Sequence, residues 1–187
     1  MSTRTFLALP LDEAILRGLV AVQRKLARVG ADVRWVEPEN LHVTVKFLGG
    51  VEDAALADVC NVAEQIAAQI EPFGLEIRGV GAQPPAGQLR MVWAGIDDPD
   101  GGLGRLNDLA ERAYAGLGFK QELRQYHPHL TLGRVKTGRK VDALRQVIAE
   151  LADTDFGRQG ADDLLVFASR LTPQGPVYSP MKTIRLG

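Results

Sequence analysis

Apolar positions along the chain follow two periods, one typical of helices and one typical of strands. Helical faces, with apolar residues three and four positions apart, run over 15–29, 56–70, 103–117 and 141–151. Short apolar runs, bounded mostly by glycine, proline or polar residues, predict strands over 5–9, 41–48, 73–80, 91–96, 129–135, 164–171 and 177–186. Single strands mixed with amphipathic helices predict an α+β fold.

The order of these elements repeats. Each half has a strand, a helix, a strand with an HxTx sequence, a second helix and further strands. The motifs are His42-Val43-Thr44-Val45 and His129-Leu130-Thr131-Leu132, 87 positions apart. The repeat predicts one bilobal domain over 1–187, built of two pseudo-symmetric lobes. Each lobe is expected to be an antiparallel sheet with helices on its outer face, and the active-site cleft is expected between the lobes.

Alternation along a strand decides which motif residues share a face. His42 and Thr44 share one face, and Lys46 would share it as well if the strand is regular. His129 and Thr131 are paired in the same way, whereas Arg134 would lie opposite them unless a bulge intervenes. The same shift of 87 positions aligns Phe6 with Trp93, for which we expect core packing, with base stacking as the alternative.

Composition narrows the class of protein. The chain has 187 residues, 45% apolar and 24% charged, as in ordinary globular proteins. A net charge of −1 restricts any nucleic-acid site to a local patch, for which the basic residues over 134–140 are candidates. The single cysteine excludes an intrachain disulfide. No apolar run approaches the roughly 20 residues of a membrane span, and no signal-peptide pattern is present, so we expect a cytoplasmic protein without a membrane partner.

Two imidazoles and two hydroxyls facing one cleft indicate phosphoryl chemistry. Histidine titrates near neutral pH, so one ring can accept a proton while the other donates one. The hydroxyls can donate hydrogen bonds to an anionic phosphate held between them. Because the two motifs are alike, their spacing does not determine which histidine is the acid.

The motifs and their flanks resemble the two-histidine (2H) phosphoesterase superfamily, and within it the RNA 2′,3′-cyclic phosphodiesterases historically called 2′-5′ RNA ligases. The matching segments are RTFLALP at 4–10, Trp35-Val36, ENLHVTVKFLG at 39–49 and YHPHLTLGR at 126–134. Gly133 stands where the family more often has alanine.

The resemblance implies hydrolysis of RNA 2′,3′-cyclic phosphate ends to 2′-phosphomonoesters, without a metal or other cofactor. It implies that His42 is the proton donor, that His129 is the proton acceptor, and that Thr44 and Thr131 bind the phosphate. Arg134 and Tyr126 are further candidates for substrate binding, because each lies beside the second motif. The expected partner is RNA with a cyclic end, or a small cyclic nucleotide, and we expect a monomer.

Three alternatives remain open at this point. His127 and His129 form an HxH pattern that could bind zinc together with His42, although this would leave both threonines unexplained. The same site could run in reverse as a 2′-5′ ligase or act on another cyclic phosphate. A non-catalytic module that binds RNA ends is the third alternative, but binding alone would not need a second proton-transfer group.

Overall fold

A computed structural model describes residues 2–172 and 175–187 as a mixture of strands and helices. The strands are β1 (Ser2–Leu9), β2 (Val33–Trp35), β3 (Val43–Glu52), β4 (Phe73–Gln83), β5 (Met91–Asp97), β6 (His129–Val135), β7 (Asp155–Ala161), β8 (Asp163–Thr172) and β9 (Gly175–Arg185). The helices are α1 (Glu13–Ala27), α2 (Leu56–Ala67), α3 (Gly102–Gly116) and α4 (Val141–Glu150), with two short 3-10 turns at Pro38–Asn40 and Asp53–Ala55.

The strands form two antiparallel sheets, which confirms the predicted α+β architecture. One sheet has the order β3-β1-β8-β9, and the other has the order β2-β6-β5-β4-β7. Helices α2 and α3 pack against each other on the four-stranded sheet, while α1 and α4 pack on the five-stranded sheet. The motif strands β3 and β6 lie near the edges of their sheets and approach each other. We call the other face of each sheet, away from its helices, its cleft face.

Neither lobe is built from one half of the chain. Strand β1 belongs to the four-stranded sheet, but the helix that follows it, α1, packs on β7 of the five-stranded sheet. Strand β5 belongs to the five-stranded sheet, and its following helix α3 packs on β3 of the other sheet. Strands β4 and β8, which close the two repeats, pair with β5 and β1 respectively. The chain therefore crosses between the lobes several times.

The apolar residues of both motifs face the core, as their alternation predicts. Val43, Val45, Leu130 and Leu132 are all buried, at no more than 2% exposure. Burying side chains of this size contributes about 1.5–3 kcal/mol each to the free energy of folding. This packing fixes the orientation of the motif strands, so that the histidine and threonine side chains point away from the helices.

Two strands were not predicted from the sequence, and both depend on partners distant in the chain. Strand β2 has only three residues and pairs with β6. Strand β7 reads DFGRQGA, which has two glycines and no apolar alternation, and it forms by pairing with β4. Within the described residues, no helix is long and apolar enough to cross a membrane.

Candidate active site

Each motif strand contains a β-bulge at the same motif position. In β3, Thr44 pairs with Ala8 and Lys46 pairs with Leu7, so that Val45 is the extra residue. In β6, Thr131 pairs with Trp93 and Gly133 pairs with Val92, so that Leu132 is the extra residue. A bulge reverses the facing of the residues that follow it. Beyond each motif threonine, therefore, the residue three positions later returns to the cleft face.

Each motif histidine is held by a hydrogen bond of the same kind, made through Nδ1. The Nδ1 atom of His42 lies 2.7 Å from the carbonyl oxygen of Asn40, and the Nδ1 atom of His129 lies 2.8 Å from that of His127. Because a carbonyl only accepts, each Nδ1 carries the proton that it donates. In the neutral ring, Nε2 then keeps its lone pair, and in the charged ring Nε2 carries the second proton. Each Nε2 is thus the atom available for proton transfer.

The surroundings of the two histidines differ. The His42 ring stacks on Phe6 at 4.8 Å between centroids and meets the Tyr178 ring edge-on at 5.4 Å. Phe167 also stacks on Phe6, at 5.2 Å, and its ring lies 6.1 Å from that of His42. His129 is exposed to solvent. Burial among the aromatic rings lowers the pKa of His42 below 6.5, and the hydrogen bond to Asn40 opposes this only in part.

Asn40 and the aromatic rings of the closing strands are site residues that the sequence analysis missed. Asn40 is buried, its carbonyl orients His42, and its side-chain amide donates to the carbonyl of Pro176 at 3.0 Å. It thereby joins the start of β9 to the first motif. Asn40 stood within the segment that carries the family resemblance, so a signal for it was present. Phe167 and Tyr178 had no comparable local signal, because only long-range pairing brings β8 and β9 to His42.

The motif threonines are half-buried on the cleft face of their strands. The Thr131 hydroxyl lies 3.5 Å from the Met91 sulfur, a weak acceptor. Within the described part of the chain, the Thr44 hydroxyl has no hydrogen-bond partner. Both hydroxyls therefore remain available to donate to a bound anion.

Tyr126 links the two motifs. Its hydroxyl donates to the carbonyl of Thr44 at 2.6 Å, while its own backbone leads into the second motif at His129. Burial, with the Asp98 carboxylate adding to it, raises the pKa of the Tyr126 phenol well above its usual value. Tyr126 is therefore a neutral donor that fixes one motif against the other. Its predicted contact with substrate stays a prediction.

Arg134 and Phe47 are the residues that the two bulges return to the cleft. Arg134 follows Thr131 by three positions and is exposed. The charges of Arg134 and Arg4 both act to lower the pKa of Tyr178, although burial outweighs them and raises it. Arg134 thus lies near a side chain of the opposite sheet. Phe47 occupies the corresponding position after Thr44, is 66% exposed, and contacts the ring of Phe6 at 5.7 Å.

The predicted equivalence of Phe6 and Trp93 is wrong. The residues that pair with the motif threonines are Ala8 and Trp93, and the residues that pair with Phe47 and Arg134 are Phe6 and Met91. The structurally equivalent residues of β1 and β5 are therefore 85 positions apart, two fewer than the 87 that separate the motifs. Phe6 is fully buried against His42, whereas Trp93 is half-buried, and its indole lies over Gly81 of β4, where a larger side chain would collide with it.

Lys46 does not line the cleft, contrary to the regular-strand expectation. The bulge turns it inward, where it is 3% exposed and its Nζ lies 2.6 Å from the Glu111 carboxylate on α3. Nζ also donates to the carbonyl of Lys120, and the same Glu111 oxygen accepts the Glu122 backbone N–H. This buried ion pair ties the loop that precedes the second motif to the strand of the first.

Breaking the buried ion pair from one side is expected to destabilise the fold. Lys46→Met leaves the Glu111 carboxylate without its partner, and we expect the free energy of unfolding to fall by about 3–5 kcal/mol. The double variant Lys46→Met/Glu111→Gln removes the unpaired charge but keeps an acceptor for Glu122, and should recover part of this loss. Urea denaturation of the three proteins measures both quantities. A double variant less stable than the single one would contradict this account.

The three-histidine metal site is not assembled. His127 is exposed, and its carbonyl orients the His129 ring. Among the described residues, no group of three or more His, Cys, Asp or Glu side chains is placed to hold a metal ion. The donor set around the motifs is instead two imidazoles and two hydroxyls, which suits a phosphate anion.

The sequence model of the family described as LigT like Phosphoesterase matches this chain in two stretches, 9–93 and 96–178, each containing one motif. The chain belongs to this family. It is 38% identical over 186 residues to an RNA 2′,3′-cyclic phosphodiesterase from Methanothermobacter thermautotrophicus, with 100% of both chains covered. An enzyme of the same name from Methanocaldococcus jannaschii is 34% identical, with 96% of this chain and 98% of the relative covered.

Solved structures share the whole fold. The protein TT0787 of Thermus thermophilus matches with a TM-score of 0.83 and 26% identity, covering 98% of this chain and 97% of its own. E. coli LigT complexed with 3′-AMP matches with a TM-score of 0.80 and 24% identity, covering 100% and 99%. At that identity, the second likeness is one of fold.

Proposed function

We propose that this protein is an RNA 2′,3′-cyclic phosphodiesterase that converts cyclic ends to 2′-phosphomonoesters. The observation that carries the proposal is the matched pair of imidazoles, each held through Nδ1 by a carbonyl two residues earlier. Each ring is followed by a threonine on the same strand face. Relatives that align over the full length carry this activity in their names.

The proposed reaction is an in-line displacement at phosphorus. Water attacks as the Nε2 atom of His129 takes its proton, and a new P–O bond forms. The P–O3′ bond breaks on the opposite side, and Nε2 of His42 gives its proton to the departing 3′ oxygen. The products are a 2′-phosphomonoester and a 3′-hydroxyl. Thr44 and Thr131 donate hydrogen bonds to the phosphate oxygens, and Arg134 supplies positive charge near them.

The assignment of the two proton-transfer roles rests on the family resemblance and not on geometry. The lowered pKa of His42 favours its neutral form in the free enzyme, which by itself suits a base. A phosphate anion bound beside the ring favours the protonated form, so His42 becomes an acid when the substrate is present. His129 is exposed to water, from which the nucleophile comes.

The metal-independence of the reaction has its own test. We expect wild-type enzyme treated with excess EDTA to keep its kcat on an oligoribonucleotide that ends in a 2′,3′-cyclic phosphate, and the product to be a 2′-phosphate. Loss of activity in EDTA with recovery on adding zinc would overturn the metal-free mechanism. A protein that binds the oligonucleotide without any turnover would overturn the enzymatic proposal in favour of a non-catalytic RNA-end module.

The same chemistry run with a different nucleophile would join RNA ends. If a 5′-hydroxyl replaces water, His129 takes its proton and the new bond is a 2′-5′ linkage. Reversible ligation is therefore part of the proposal, and added 5′-hydroxyl RNA is its test. We further propose that 1–187 is one bilobal domain that acts as a monomer. The cytoplasmic location stays a prediction.

A further inference from the structure

A cavity of about 510 Å³ lies next to the phosphate site, at the loop end of the β4–β5 hairpin. Its walls are Gln83, Pro84, Gln88, Arg90, Met91 and Arg134. Among the described residues, two guanidinium groups and no carboxylate line the cavity, although the protein as a whole has a net charge of −1. The cavity is therefore locally positive on a protein that is not basic overall.

The cavity is contiguous with the catalytic threonine. Gly81, Trp93 and Thr131 form one cross-strand row on the face of the five-stranded sheet, and Gln83, Met91 and Arg134 form the next. The step between rows is two residues along β5, about 7 Å, which is within the length of one nucleotide. Met91 joins the two rows, because its sulfur lies 3.5 Å from the Thr131 hydroxyl.

Hydrogen bonds fix the Arg90 backbone and the loop of the hairpin. The Arg90 N–H donates to the Gln83 carbonyl, and the Arg90 carbonyl accepts from Val135, both at 2.9 Å. The Arg145 guanidinium on α4 donates to the carbonyls of the hairpin loop at Pro84, Pro85 and Gly87, at 2.8–3.2 Å. In the described part of the chain, no carboxylate pairs with the guanidinium of Arg90 or of Arg134. The site is thus preformed, with its charge available.

We infer that this cavity binds the phosphate on the 5′ side of the nucleotide whose cyclic phosphate is hydrolysed. The cyclic phosphate occupies both the 2′ and 3′ oxygens, so an RNA chain continues only from the 5′ oxygen. A second phosphate of the substrate is therefore on that side, about one nucleotide from the threonines. Arg90 recognises it, and the enzyme selects RNA chains over cyclic mononucleosides. This inference rests on the proposed function and adds the substrate class to it.

The test compares three substrates that differ only on the 5′ side. These are adenosine 2′,3′-cyclic phosphate with a free 5′-hydroxyl, the same nucleotide with a 5′-phosphate, and a diadenylate with a cyclic end. We expect wild-type kcat/KM to be higher on the second and third than on the first. Arg90→Gln should lower kcat/KM about 10- to 100-fold on these two, the scale of a charge-assisted hydrogen bond. It should leave the first unchanged.

Control variants separate recognition from folding. Arg90→Lys keeps the charge and should keep part of the preference. Arg28→Gln removes another exposed arginine, at the end of α1 on the helical layer, and should change none of the three rates. For the diadenylate, Arg90→Gln should also reduce the slope of log kcat/KM against log salt by about 0.7.

Three outcomes would overturn the inference. If Arg90→Gln lowers kcat/KM equally on all three substrates, Arg90 does not act in a 5′ subsite. The same conclusion follows if Arg90→Gln lowers kcat/KM on none of them. If wild-type kcat/KM is higher on the 5′-phosphorylated nucleotide but not on the diadenylate, the cavity binds free mononucleotides instead of RNA. The proposed function fails separately, if wild-type enzyme hydrolyses none of the three.

Discussion

Replacing His129 by alanine is expected to lower kcat on an RNA 2′,3′-cyclic end by about 100- to 10,000-fold, the usual worth of a general base. His42→Ala should have a loss of the same size on this substrate, because the 3′ oxygen departs poorly without a proton. Steady-state hydrolysis of a cyclic-ended oligonucleotide measures both. We expect each variant to keep its fold, since His129 is exposed and His42 is only half-buried.

A substrate that carries an activated leaving group distinguishes the roles of the two histidines. Such a group departs without protonation, so cleavage should depend strongly on His129 and only weakly on His42. With the ordinary substrate, the rate needs a neutral His129 and a protonated His42, so it falls at both low and high pH. With the activated substrate the need for a protonated acid disappears, and the fall at high pH should disappear with it. Reversed sensitivities, or a 3′-phosphate product, would exchange the two roles.

Removing either motif hydroxyl is expected to have the second largest effect. Thr44→Val or Thr131→Val should lower kcat by about 100- to 1,000-fold, because each hydroxyl donates to phosphate oxygens on which charge develops in the transition state. Valine is close to threonine in shape and suits a strand. Turnover measurements on the cyclic-ended oligonucleotide, with thermal unfolding alongside, separate a catalytic loss from a structural one.

Serine restores the missing donor and should recover part of the activity at both threonine positions. Thr183→Val is the matched control, since Thr183 is an exposed threonine on the edge strand β9. It should leave kcat unchanged. If Thr44→Val or Thr131→Val turned over substrate at the wild-type rate, phosphate binding by these threonines would be refuted.

The sequence was sufficient to predict the elements around the motifs, because each element is encoded in a local pattern. Alternation of apolar and polar residues predicted that Val43 and Leu130 point to the core. The same rule failed at Lys46, since a bulge adds one residue without leaving a local mark. Phe6 and Trp93 were aligned by counting residues, and counting residues does not detect bulges. Arg134 was predicted from the sequence to face the cleft only if its strand contained a bulge, and that bulge is present.

Long-range pairing accounts for the rest of what the sequence did not predict. Strand β7 has almost no strand-like composition, and it exists because β4 offers it an open edge. Two of the three aromatic rings around His42 come from β8 and β9, more than 120 positions further along the chain. No local pattern relates Phe167 or Tyr178 to a histidine at that separation, so the lowered pKa of His42 was not foreseeable.

The crossing of the chain between the lobes has a consequence for synthesis. A nascent chain makes β1 well before β8, the strand that pairs with it across Phe6. Until then β1 has an exposed edge, and such edges promote aggregation. Pairings at this sequence distance also slow folding. The aromatic surroundings of His42 are therefore completed only once β8 and β9 have been made, and we expect a chain truncated before β8 to be prone to aggregate.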